Sequence, residues 1–293
     1  MNNDRLLYRR GILQLVASGF FLSTAGIALR LVELADGWQI LFYRSFALSV
    51  TILLILVFQK RSRFLDEFRG LGWNDCLLAV FLGTGFVAYV FALLYNTVAN
   101  ALFIFSCAPF LAGFLGWILL GERVATRTWF AIGVAMAGLA VMVGSEMAVS
   151  RYLGTLLALW IPIAYAASII AVRRSKRDNM LVALCLAGLV AGGLSAIFVT
   201  DFALTSRDLI ISLYLGVFQV GVGFTLVVLG SRYVPAAQVG LLALVEPVLA
   251  PVWAWMGVGE VPSLATIVGG TIIFLAITTD CILNIKSSES HSA

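Results

Sequence analysis

The chain has 293 residues, 61% of them hydrophobic and only 12% charged, with a formal net charge of +4 and a mean hydropathy of +1.03. Soluble domains carry about 25% charged residues, so this composition excludes a water-exposed globular surface and points to an integral membrane protein. The basic excess calls for no nucleic-acid partner, because it sits in short loops between apolar runs.

A helix that crosses a hydrocarbon core of ~30 Å takes about 20 mostly apolar residues. Ten segments meet that requirement: residues 11–33, 38–58, 74–95, 98–119, 126–145, 152–172, 180–200, 208–230, 235–257 and 263–284. Runs such as SVTILLILVF and TIVGGTIIFLAI are continuously apolar, which favours helices over the alternating strands of a membrane barrel. Arg9 and Arg10 precede the first run, as in a secretory or twin-arginine signal. That run is longer than the 7–15 residues of a signal core, so it is read as span 1. Basic clusters occupy the N-terminus (Arg5, Arg9, Arg10) and the loops after spans 2 (Lys60, Arg61, Arg63, Arg69) and 6 (Arg173, Arg174, Lys176, Arg177). The opposite loops hold only Arg30, Arg151 and Arg207. This bias places both termini in the cytoplasm. The tail 287–293 is polar and expected to be disordered.

Two stretches repeat. Ser106–Glu122 reads SCAPFLAGFLGWILLGE, and Leu244–Glu260 reads LVEPVLAPVWAWMGVGE. Without a gap, Pro109 falls on Pro247, Leu111 on Leu249, Ala112 on Ala250, Trp117 on Trp255 and Gly121-Glu122 on Gly259-Glu260. The offset passes five spans, an odd number, so the two copies lie in the membrane with opposite orientation. The reading is an all-α protein of ten transmembrane helices in two inverted five-helix repeats, 1–148 and 149–286. Inverted repeats are the usual frame of alternating-access carriers, with the site near the midplane where the repeats meet.

The P-x-L-A-x8-G-E pattern that ends spans 4 and 9, and the E-P-V-L-A-P run at Glu246–Pro251, resemble the drug/metabolite transporter superfamily and specifically its EamA-type members. The resemblance covers essentially the whole chain. It implies a multi-pass carrier in a bacterial cytoplasmic membrane, often an exporter of amino acids or related metabolites. The first copy departs from the symmetrical pattern at Ala108, opposite Glu246.

Among the candidate site residues, Glu246 comes first. It lies at the middle of span 9, where an ionised carboxylate costs several kcal/mol unless it faces the bundle interior or pairs. Val239, Ala243, Glu246, Ala250 and Trp253 follow helical spacing and share one face, and Pro247 and Pro251 loosen the backbone hydrogen bonds beside it. Pro109, Pro247 and Pro251 are the hinge candidates. On one reading Glu246 binds a substrate ammonium or carries a coupling proton; on the other it holds the kink by hydrogen bonding. Arg44, inside span 2, either snorkels to the external end or clamps a carboxylate in the cavity. Trp160, Tyr89 and Trp253 lie deep enough to form an aromatic wall, and Gln219, a buried amide, must face protein or water. The expected substrate-binding set is therefore Glu246, Gln219, Trp160, Tyr89, Trp253 and Arg44. Glu122 and Glu260 lie just past helix ends, in water, and are read as boundary or loop-bonding residues, with a gate role open, and not as binding residues. Glycine pairs such as Gly83/Gly85 and Gly221/Gly223 are expected where helices approach closely.

No cofactor or metal is expected. The four cysteines are scattered through spans, the single His291 is in the tail, and no stretch has Walker spacing. The expected partners are a small-molecule solute and the lipid bilayer, with the chain acting as a monomer or homodimer. Uptake of an osmolyte or organic acid is the alternative within transport. A membrane-embedded enzyme or a sensor is the alternative outside it, set back by finding a single deep acid in ten spans and no soluble domain.

Overall fold

The computed structural model describes residues 2–60, 64–95, 98–143, 152–175, 180–259 and 261–290, and among these no strand forms. In the first half, α1 (Asn2–Leu22) and α2 (Ala25–Arg30) make span 1, and α3 (Gly37–Lys60) is span 2. A short loop helix α4 (Phe64–Arg69) precedes α5 (Trp73–Tyr95), which is span 3. Span 4 is split into α6 (Val98–Phe105) and α7 (Ala108–Leu120), and α8 (Thr126–Val143) is span 5. In the second half, α9 (Tyr152–Arg174) and α10 (Leu181–Phe198) are spans 6 and 7. Span 8 is α11 (Ser206–Tyr214), a π-helical segment Leu215–Val222, and α12 (Gly223–Gly230). Span 9 is split into α13 (Ala236–Ala243) and α14 (Val245–Val258), and α15 (Leu264–Ser290) is span 10. Among the described residues nine helical stretches are long and apolar enough to cross a membrane, and Thr126–Met142 is a shorter apolar helix. The helix of α15 continues past the boundary drawn at residue 286; His291 lies outside the described residues.

Each span leans chiefly on the other half. Span 5 packs against span 10, span 2 against span 7, and span 4 against span 9. Span 1 packs against span 8, and span 3 against span 6. Exchanging the halves turns the first three pairs into themselves and swaps the last two. That is the pattern a two-fold axis between the halves produces. Small residues make the approach possible where no hydrophobic driving force separates helix from lipid. At the crossing of α8 and α15, a Cβ on Gly269 would lie 2.3 Å from the Gly138 carbonyl oxygen, so backbone meets backbone.

The two copies of the repeated stretch break at the same place. α6 ends before Ser106-Cys107 and α7 begins at Ala108; α13 ends before Leu244 and α14 begins at Val245. Pro109 is the second residue of α7 and Pro247 the third of α14. At these positions the missing N–H has no intrahelical acceptor to lose, so each proline starts a helix rather than disrupting one. Of the three hinge candidates only Pro251 lies inside a helix, as Pro162 does in α9. Both copies end on a left-handed glycine, Gly121 at φ 68° and Gly259 at φ 73°, the conformation that glycine adopts without a Cβ penalty. The break also cuts the face expected along span 9: Val239 is packed in the core, whereas Ala243 and Glu246 reach the cavity described below.

Candidate functional site

A cavity of about 50 Å³ lies inside the bundle. Arg44, Tyr89, Gln219 and Glu246 line it, together with Phe86, Phe105, Tyr165 and Phe224. Its wall is mainly apolar and aromatic with a few convergent polar groups, the usual make-up of a small-molecule site.

Glu246 lies in the first turn of α14 and is 7% exposed. A helix N-terminus presents partial positive charge, so the break at Leu244 favours a carboxylate at this depth. The Tyr89 hydroxyl donates to Glu246 Oε1 at 3.0 Å. Arg44, on α3, does not snorkel outward. It is 5% exposed, and its guanidinium carbon lies 5.6 Å from the Phe86 ring centroid and 5.9 Å from that of Tyr89. Such cation–ring contacts partly replace lost hydration. Among the described residues no ion pair within 4.0 Å joins Arg44 to Glu246. Two opposite charges thus flank Tyr89, one over its ring and one at its hydroxyl, without neutralising each other directly. Gln219 lies on the π-helical segment, with Nε2 donating to the Leu22 carbonyl at 3.4 Å.

The two tryptophans are placed elsewhere. Trp160 is exposed; it donates to Thr84 Oγ1 at 3.0 Å and stacks on Phe81. Trp253 donates to Ser23 Oγ at 2.7 Å and meets Phe20 edge-on. Neither is part of the cavity lining. Tyr165 is, five residues beyond Trp160 and therefore on another face of α9. Its flanks, Ala164 and Ala166, are buried small residues, the one sequence signal that this face of α9 meets other helices.

Glu122 is not free in solvent. One carboxylate oxygen accepts from Arg173 Nε and the other from the Ala236 N–H at 2.9 Å. Arg173 also donates to the carbonyls of Ser231 (2.9 Å) and Val234. One clasp therefore joins the end of α7, the end of α9 and the start of α13. Glu260 lies outside the described residues.

Besides Glu246, three acids near span ends are buried. Asp75, Asp208 and Asp280 are each at most 2% exposed. Asp208 accepts from the N–H groups of Glu33, Leu34 and Ala35 at 2.9, 3.1 and 3.1 Å. Its own N–H bonds Thr205 Oγ1 at 3.0 Å, a T-x-x-D cap that the sequence displays. Asp280 accepts from Gln238 Nε2 (2.9 Å) and Thr128 Oγ1 (2.8 Å), and the Tyr8 hydroxyl donates to Gln238 (2.9 Å). Asp208 and Asp280 tie separate elements together, Asp75 accepts from the Gly72 N–H at the start of α5, and none of the three lines the cavity. Among the described residues no three His, Cys, Asp or Glu side chains cluster to hold a metal.

The EamA-like transporter family matches the chain twice, over residues 9–144 and 152–279. The chain belongs to that family. Described simply as an uncharacterized transporter, a relative from Archaeoglobus fulgidus is 26% identical over 202 residues, covering 68% of this chain and 73% of its own. A solved crystal structure superposes with a TM-score of 0.79 at 19% identity, over 93% of this chain and 98% of that one; that likeness concerns the fold. A multi-pass membrane transporter of the EamA type is thus established, from two matched segments of one chain.

Proposed function

We propose that this EamA-type transporter carries small organic zwitterions, amino acids or close relatives, by alternating access. One observation carries the reading. Arg44 and Glu246 are buried in one cavity without an ion pair between them. Buried charges left unpaired are costly, and a solute with an anionic and a cationic group would satisfy both. The carboxylate would meet the Arg44 fork, the ammonium would meet Glu246, and the apolar body would lie among Phe86, Phe105, Tyr165 and Phe224.

The direction we propose is export, on the resemblance to EamA-type carriers, from a bacterial cytoplasmic membrane with both termini inside. Glu246 also offers a coupling route: a proton and a solute ammonium compete for the same carboxylate, so release of one favours uptake of the other. The Glu122–Arg173 clasp would close the cytoplasmic side by holding α7, α9 and α13 together, and its opening would admit the solute.

The test is a thermal-stability screen of purified protein with amino acids, amines, organic acids and osmolytes, followed by flux in reconstituted vesicles. A ligand at 100 times its Kd stabilises by about 2.7 kcal/mol, enough to see. Zwitterions are expected to stabilise wild type and to lose that effect in Glu246→Gln and Arg44→Gln. Stabilisation by singly charged or uncharged solutes alone would overturn the reading, as would the absence of flux for every zwitterion that binds.

A further inference from the structure

We propose that Gln219 selects among zwitterionic solutes by accepting a hydrogen bond from a donor group on the solute's side chain. The inference rests on the cavity being the zwitterion site and adds a requirement that the two charges do not impose.

Gln219 is 2% exposed and lines the cavity. Its Nε2 donates to the Leu22 carbonyl at 3.4 Å, a long bond, whereas its Oε1 is buried with no hydrogen-bond partner among the described residues, so a solute donor meets it by turning the side chain toward the cavity. Flipping the amide would set two acceptors against each other, so this orientation follows from the Leu22 contact. An amide oxygen can only accept, and an unpaired buried acceptor calls for a donor. The other polar groups of the lining are differently engaged. Arg44 and Glu246 match the solute's charged ends, and the Tyr89 hydroxyl gives its hydrogen to Glu246. The Tyr165 hydroxyl can donate or accept, so it discriminates less.

The backbone places Gln219 with care. The segment Leu215–Val222 is π-helical, a geometry that is rare and frequent at functional sites. It rests directly on α3 at the turn that carries Arg44. A Cβ on Gly216 would lie 2.3 Å from the Arg44 carbonyl oxygen and 2.5 Å from the Ala47 Cβ. The acceptor and the guanidinium are thus fixed to one tight helix contact, and a solute held through its carboxylate brings its side chain under the same constraint. A solute with a side-chain hydroxyl or N–H completes Oε1, and its hydrocarbon isostere leaves it unpaired. Sites built to bond a donor reject the analogue that lacks one more strongly than apolar pockets reject a size change.

The experiment measures Kd by calorimetry for matched pairs: threonine with valine, tyrosine with phenylalanine, glutamine with methionine. Wild type is expected to prefer the donor-bearing member of at least one pair by about tenfold or more. Gln219→Met, similar in shape but without the carbonyl, is expected to bring that ratio to within about twofold, chiefly by weakening the donor-bearing member. Gln219→Glu keeps an acceptor and is expected to keep the preference. If Gln219→Met does not fold, Gln219→Asn, which withdraws the carbonyl along a shorter side chain, is expected to lose the preference in the same way. A ratio unchanged in the folded variant, with both members still bound, would overturn the proposal and assign Oε1 to a water. Failure of every pair to bind wild type is a different result: it removes the zwitterion reading, and this inference with it.

Discussion

Span 4 and span 9 share a backbone and differ in chemistry. Each breaks before a proline-bearing half-helix, and each ends on a left-handed glycine. Ala108, at the start of the first half-helix, is fully buried. Gly240 packs there so closely that a Cβ on it would lie 2.5 Å from the Pro109 Cα. Glu246, its counterpart, opens onto the cavity. The duplication kept the parts dictated by proline and glycine, which act locally. The acid occurs in one copy only, the one whose break lines the cavity.

The sharpest way to break this comparison is to move the acid. Ala108→Glu would bury a carboxylate in a dry contact, at a cost of several kcal/mol, a large part of a typical stability of about 5–15 kcal/mol. The expected outcome is loss of monodisperse protein in size-exclusion chromatography. Combining it with Glu246→Ala is expected to restore no solute binding. A well-folded Ala108→Glu protein would show that the two breaks are interchangeable after all.

Next in size are the cavity charges. Arg44→Gln or Glu246→Gln leaves a solute charge facing an uncharged partner, and breaking such a buried pair costs about 3–5 kcal/mol. Solute Kd is expected to rise by at least about 100-fold in either variant. An unchanged Kd in both would place the solute elsewhere in the bundle.

A smaller effect is expected at the clasp, where charge-assisted bonds contribute about 1.5–3 kcal/mol. Arg173→Gln should lower the melting temperature and speed amide hydrogen exchange over residues 236–239, because the entry to α13 loses its tie to α9, and Glu122, which holds the Ala236 N–H, loses its guanidinium partner. Exchange unchanged from wild type would make the clasp incidental to the joining of the halves.

The smallest effect is expected for Trp160→Phe. The ring is exposed and outside the cavity lining, so solute affinity should change by less than about 0.5 kcal/mol, the usual scale for such surface sites. A tenfold loss of affinity would bring Trp160 into the site.

Glu246 was legible because an acid flanked by prolines in an apolar run has few places to go. Arg44 was visible as a charge, but not its direction: the same side chain is long enough to reach either the membrane surface or the cavity. Trp160 and Tyr165 show the limit more clearly. They lie on one helix of similar hydrophobicity all round, and only Tyr165 lines the cavity. The buried carboxylates Asp208 and Asp280 look like ordinary residues at span ends, until partners distant in sequence close around them.

The sequence by itself determined the ten apolar helices, the repeat and its inversion, and the prolines beside which spans 4 and 9 break. These depend on segment length, on an odd number of spans and on the local geometry of proline and glycine. Tertiary structure alone decided which faces turn inward, that Tyr89 stands between Arg44 and Glu246, and that the π-helical segment brings Gln219 to the cavity. The reason is physical. In lipid, the outer surface of a bundle is as apolar as its core, so hydropathy marks where a helix lies but not which side of it meets the solute.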